Sequence, residues 1–380
     1  MMIVTVGDRE APLFADDADW DTAQAVLLDA ELADGLPVVV PTRARLAAML
    51  GGREPVAANL TSPDGATVPP SSSWPGSFGP PVAAGSGTGG PHASNHDTGP
   101  KVPAFEPAQS FGFMPPLFGD ITGEAVAYCC VLAGCRPAEF PVVLQAALAT
   151  LQPEFNLLGI QTTTGTPTVA VLVHGPVAEA LGMNAGTNCL GPGNRANACI
   201  GRALRLVLTN VGGARPLVGD MATMGQPAKY GMAFAEGTHP WADKLHVRRG
   251  LNGSAVTVIG LSGTIEVLPE AGASTPEQVL RPALAAMRGG REAGSGGRRR
   301  EPGEQFLLLP PEMADVIAKA GWSLAEAQSF LWRESGSDYP IARTPADIHI
   351  IITGGAGVKM TCLVPWGGGT LCVTRRLADT

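Results

Sequence analysis

A chain of 380 residues with a formal net charge of -8, 16% charged residues and 5% aromatics can bury a sizeable core, packed mainly by Ala, Val and Leu. The acidic balance argues against nucleic acid or an anionic membrane as partner, because both call for a basic surface. No run approaches the roughly 18 apolar residues of a membrane span, and the N-terminus lacks the basic and apolar regions of a secretory signal. The seven cysteines form no CxxC pair, so they read as reduced thiols in a cytoplasm rather than as a disulfide framework or zinc ribbon.

Residues 1–61 read as an N-terminal segment: a helix over DTAQAVLLDAELADG, a strand over LPVVVP, and a second helix over TRARLAAML with Thr42 as N-cap. From 62 to 112 the composition collapses into Pro, Gly, Ser and Ala. Such a stretch buries too little apolar area to offset its ordering entropy, so it reads as a disordered insertion or linker. A first α/β half is expected over 113–270 and a second over 271–380. Gly123–Leu151 predicts two helices broken at Arg136-Pro137. Strand-like runs follow at 169–175, 255–261, 305–310, 348–354 and 370–374, with helix candidates at 195–209, 276–287, 312–320 and 323–333. This alternation predicts an α/β layered sheet with flanking helices. The string VAVLVHGPVAEALGM echoes EQFLLLPPEMADVIAKAGW in kind and order of elements, which suggests two related half-cores from an internal duplication. The Arg-rich stretch 289–304 reads as a solvated loop.

Chemistry is densest in two places. GMNAGTNCLGPGNRANACIGRALRLVL combines Asn188, Gly191 and Gly193, whose loop lets backbone approach a ligand, with Asn194 as the N-cap of a helix. Unpaired N–H groups at that helix start suit a carboxylate or phosphate. Ile200, Leu204, Val207 and Leu208 form the apolar stripe, which turns Arg195, Cys199 and Arg202 to the other side. Arg195 and Arg202 are thus candidates to hold an anion, and Cys199 a nucleophile between them. GPGNRA also fits a dinucleotide fingerprint, but no buried strand leads into it, so no nicotinamide or flavin is expected. The second place is the Gly- and Pro-punctuated loop over 212–250. It offers Asp220 for binding, Lys229 and Tyr230 as acid or oxyanion donor, and Glu236 or His246 as general base. His239 and His246 lack metal-ligand spacing, so no metal is expected. His174, at a strand end, is placed where α/β sites lie.

Several strings, among them DGLPVVVPT, AVAYCCVLAGCRPAEFPVVLQAAL, NRANACIGRALRLVLTNVGGARP, DMATMGQPAKY and ITGGAG, resemble a bacterial family found alongside UGSC-type (seleno)proteins and thiol-redox proteins. The resemblance covers most of the chain outside 62–112. It implies functional positions at the Cys135-Arg136-Pro137 turn, at Arg195, Asn197, Gly201 and Arg202, and at Lys229, Tyr230, Glu236, Trp241 and His246, rather than a particular reaction. A family helix of the type RANATIGRA has Thr where this chain has Cys199, which favours Cys135 over Cys199 as a nucleophile. The UGSC tetrad is absent, so a disulfide-reductase role is not implied.

The expectation is a cytoplasmic enzyme for a small carboxylate- or sulfur-bearing metabolite, using acid–base chemistry of lyase, hydrolase or transferase type without an organic redox cofactor. Arg195, Arg202 and the Gly191–Asn194 loop would fix the anion; Lys229, Tyr230, Glu236 and His246 would move protons. A thiol-dependent oxidoreductase and a non-catalytic binding subunit are the alternatives. A homo-oligomer or a partner enzyme is compatible with either class.

Overall fold

In the computed structural model the described residues are 2–56, 58–59, 105–294 and 301–377. A two-residue turn at Gly7, where φ is +69°, closes the hairpin of β1 (Met2–Val6) and β2 (Arg9–Leu13). Next come α1 (Trp20–Asp29), α2 (Arg43–Met49) and β3 (Ala58–Asn59), which pairs with β1. A second hairpin, β4 (Ser110–Met114) and β5 (Gly119–Thr122), leads into α3 (Gly123–Ala133), α4 (Phe140–Thr150) and α5 (Leu157–Thr162). The chain continues through β6 (Thr168–His174), α6 (Pro176–Ala180), α7 (Arg195–Asn210), β7 (Met232–Ala235), α8 (Leu245–Arg248) and β8 (Ala255–Val267). It ends with α9 (Pro276–Ala293), β9 (Gln305–Leu309), α10 (Pro311–Lys319), α11 (Leu324–Glu334), β10 (Ile348–Ile352), β11 (Met360–Pro365) and β12 (Val373–Arg376).

Seven of these strands form one mixed sheet in the order β10-β9-β11-β8-β6-β7, with β12 also on β8. β6 and β7 are parallel, as are β9 and β10, and the central pair β8–β11 is antiparallel. β6 to β8 and β9 to β11 each run strand, two helices, parallel strand, antiparallel strand, with the short α8 inserted in the first, and the sheet order reads alike from both edges. This correspondence is one of element order and pairing. The sheet curls until its edge strands touch: the Gly237 N–H donates to the Ile352 carbonyl at 2.8 Å and the Thr353 hydroxyl to that of Ala235 at 3.0 Å.

The two-residue period of the strands divides the core. Val169, Val171 and Val173 pack outward with α3, α4 and α7, and Leu307, Leu309 and Ile350 outward with α9, α10 and α11. Ala170, Leu172, Phe234, Ile259, Phe306 and Ile351 fill the inside of the curl. The helices therefore flank the sheet on its outer face, and the α/β layered class holds. None of the described helices is long and apolar enough to cross a membrane.

Departures from the expected elements have local causes. LPVVVP forms no strand, because its backbone groups find other partners. The Gln24 amide bonds both the N–H and the carbonyl of Val38 (3.0 and 2.8 Å), and Val39 N–H donates to Leu132 at the end of α3. β7 and β11 went unread because one is four residues long and the other is flanked by glycine and polar residues. α9 continues past Pro282 and through Gly290, which faces Val364; the expected loop at 289–304 instead begins as helix and buries Arg291 and Glu304. Of the expected linker, 62–104 lies outside the described residues. Its last part does not behave as a linker: Phe105 is buried against Phe140 and β4 starts at Ser110.

α7 lies so close to β7 that a Cβ on Gly201 would come within 2.7 Å of the Met232 nitrogen. Gly201→Val is therefore expected to lower stability by about 1–3 kcal/mol, the usual cost of overpacking, read as a drop in the urea midpoint.

Candidate functional site

α7 is capped as its sequence predicts: Asn194 accepts from the Asn197 N–H at 3.0 Å. The loop before it, however, satisfies itself. Asn188, at φ +59°, donates to the Pro192 carbonyl and leaves no room for a side chain at Gly191. Gly193 takes φ +116°, which suits glycine. Asn197 bonds the backbone of Asn184 and the Cys189 carbonyl. The two arginines are engaged by the chain's own carboxylates. Arg195 pairs with Glu139, and Arg202 with Asp34 at 2.7 Å. Those carboxylates come from the α3–α4 turn and the segment after α1, while Arg195 itself stays exposed.

Nor do the thiols favour a nucleophile. Burial pushes the Cys199 thiol up, with a further contribution from Cys135, against the opposing pull of Arg195. Cys135 is held well above its ordinary value, first by its hydrogen bond with Cys130 and then by burial. Only the thiolate reacts. Iodoacetamide at neutral pH should therefore label both positions more slowly than free cysteine; faster labelling of either would restore the thiol-dependent alternative.

The remaining expected residues separate to opposite ends of β7. Just before it, the chain leaves α7 and turns tightly about Arg215, whose carbonyl accepts from Gly219 and Asp220 (3.0 and 2.8 Å). Asp220 caps its own turn through Ala222 N–H, and a 3-10 turn over Pro227–Tyr230 brings Lys229 back. Gly231, at φ +135°, passes against the α7 backbone at Arg202, where no Cβ would fit. The Lys229 ammonium donates to both Asp220 oxygens at 2.7 Å, and Arg205 of α7 reaches one of them at 3.0 Å. These side chains are largely enclosed, with 15% of Lys229, 12% of Arg205 and 6% of Asp220 exposed.

This triad forms part of the wall of a cavity of about 960 Å³, which also touches Arg215, Glu31 and Asp34. Tyr230 stands at its rim, more than half exposed. Three cations face three carboxylates in the wall, and Arg202, which neutralises Asp34, tips the balance positive. Burial lowers the Lys229 ammonium, and Asp220 opposes it. Burial alone would raise Asp220, but the Lys229 hydrogen bonds, the Ala222 N–H and the neighbouring charges hold it below its ordinary value. The Arg215 Nε atom is buried without a hydrogen-bond partner.

Beyond β7 lie Glu236 and His246, with His174 at the end of β6. His174 Nδ1 meets Glu236 Oε2 at 2.7 Å, and its Nε2 meets the Thr257 hydroxyl at 2.7 Å. Thr257 bonds Thr374 at 2.9 Å, and Arg249 donates to Thr374 at 3.1 Å. Arg249 also reaches Glu304 at 3.0 Å, where His349 and the Cys372 thiol converge (2.9 and 3.2 Å). Arg249 can only donate and the Glu236 carboxylate only accept, and Thr374, Thr257 and His174 link the two in one continuous hydrogen-bonded chain. Its strand residues sit in step with Leu172, Phe234, Phe306 and Ile351 on the inside of the curl.

The four side chains expected to meet, those of Arg195, Lys229, Glu236 and His246, thus fall in three places. Sequence reasoning missed Arg205, Arg215, Thr257, Glu304, His349 and Cys372. For His174, Glu304 and His349 a signal was present, a polar residue at the inward period of an apolar strand. No protein-family model matches the chain, and a search of curated proteins finds no significant match.

Proposed function

We propose that the protein is a cytoplasmic enzyme that binds a small carboxylate- or sulfur-bearing anion in the cavity walled by Arg205, Arg215 and Lys229, and acts on it by acid–base chemistry. The observation that carries this reading is the Lys229 ammonium. It has three N–H donors, Asp220 engages two, and the third remains for a ligand at the wall of a cavity large enough for a metabolite. Arg215 stands in the same wall. Arg205 and Arg215 would hold the anion. Lys229 would give and take the proton, with Asp220 fixing its position, and the Tyr230 phenol would serve at the rim. Proton transfer by such a placed group contributes about 10²–10⁴-fold to a lyase, hydrolase or transferase step in which the anion itself is not the reacting group.

A thermal-shift series of small mono- and dicarboxylates, sulfonates and thiol acids tests the reading. At least one is expected to stabilise the wild type and to lose that effect in Lys229→Ala, with circular dichroism confirming the fold. Equal stabilisation of the variant, or none of the wild type, would sink the assignment.

A further inference from the structure

Three residues far apart in sequence, His174, Glu236 and His246, bring one ligand-capable atom each within 4.8 Å of one another. All are buried, at 0%, 4% and 3% exposure. Two imidazoles and a carboxylate form a donor set suited to Zn²⁺ and neighbouring divalent transition ions. A second observation points the same way. His246 Nδ1 is sealed from solvent with no hydrogen-bond partner, although its ring lies 5.0 Å from that of His174. Buried polar atoms are rarely left so.

The other three-donor group, Glu304, His349 and Cys372, is different. The Arg249 guanidinium already sits on both Glu304 and Cys372, at 3.0 and 2.8 Å. Glu304 accepts from His349 and the Cys372 backbone besides. A cation fills that role, and a divalent ion would meet its charge. Glu236 Oε2 accepts from the Leu245 N–H at 2.9 Å, but the Arg248 guanidinium stands off Oε1 at 3.9 Å and is hydrogen-bonded to the Ile350 carbonyl.

We propose that His174, Glu236 and His246 bind one divalent transition ion, Zn²⁺ being the best match, and that the ion fastens α8 and the loop after β7 to the end of β6. A metal at His174 Nδ1 replaces the proton now shared with Glu236. The ring then carries its proton on Nε2, and the Thr257 hydroxyl, which can accept as well as donate, receives it. A hydroxyl can do both, so Thr257 is a positioning residue for the site. Loss of such a partner typically costs 10–100-fold in metal affinity.

The test uses the untagged full chain, stripped with a chelator and titrated with Co²⁺, followed by visible d–d bands and by elemental metal-to-protein ratio. One Co²⁺ per chain is expected, displaceable by Zn²⁺, together with a metal-dependent rise in melting temperature. Binding should vanish in His246→Ala and in His246→Gln, the second chosen to fill the space. It should weaken about 10–100-fold in Thr257→Val and persist in His349→Ala. Absence of stoichiometric binding, or its loss in His349→Ala with retention in His246→Gln, overturns the proposal. The anion cavity lies before β7 and this cluster after it, so Lys229→Ala leaves Co²⁺ binding intact and the two assignments fail independently.

Discussion

Replacing Asp220 by alanine is expected to destabilise the protein by about 3–5 kcal/mol, the usual cost of leaving buried partners of an ion pair unmatched. Both Arg205 and Lys229 converge on this one carboxylate, and both are largely enclosed. The acidic arm of the stability curve should change with it. Because the folded-state value of Asp220 is depressed, its contribution is complete above the unfolded value, near 3.9, and is lost as pH falls through the lower folded one. Urea midpoints measured between neutral pH and pH 3 should therefore fall less steeply in Asp220→Asn than in wild type. The same variant should bind a cavity anion more tightly, since two cations lose their neutralising partner. Weaker binding would mean that the anion does not sit among them.

Glu304→Ala should have an effect of similar size, about 3–5 kcal/mol, although Glu304 lies far from the cavity in the chain's topology. Its carboxylate is the common acceptor for Arg249, His349 and both polar groups of Cys372. Removing it leaves the Arg249 guanidinium without its carboxylate and the Cys372 backbone N–H without an acceptor inside the curl. Burial would raise Glu304, yet the His349 hydrogen bond and charge, the Cys372 N–H and Arg249 bring it below its ordinary value, so the stability it provides is also lost toward acid. Loss of Arg249 from its place would loosen Thr374 and, through Thr257, His174. Chemical denaturation checks the first consequence, and a raised Co²⁺ dissociation constant checks the second. A variant as stable as wild type would show the network to be incidental.

What the sequence made legible follows from which interactions are local. α7 could be read from Asn194 and the spacing of Ile200, Leu204, Val207 and Leu208, because cap and stripe are properties of the helix itself. Its other face depends on distant partners. Arg195 and Arg202 look like a pair awaiting an anion until the fold brings Glu139 and Asp34 against them, and those partners lie 56 and 168 residues away. LPVVVP has the composition of a strand and lacks only a neighbour to pair with; a glutamine side chain took that part. Lys229, Glu236 and His246 belong to one loop region in sequence, but β7 runs between the first and the other two and separates them. His174 was noted only as a strand-end residue, since its nearness to Glu236 depends on the parallel pairing of β6 with β7.

The most direct test of the anion cavity is a crystal structure of the protein with the best ligand of the thermal-shift series. Density for the anion against Lys229 Nζ, with Arg205 or Arg215 completing its contacts, is the expected result. An anion bound instead at the Gly191–Arg195 loop, or a cavity holding only water at saturating ligand, would contradict it.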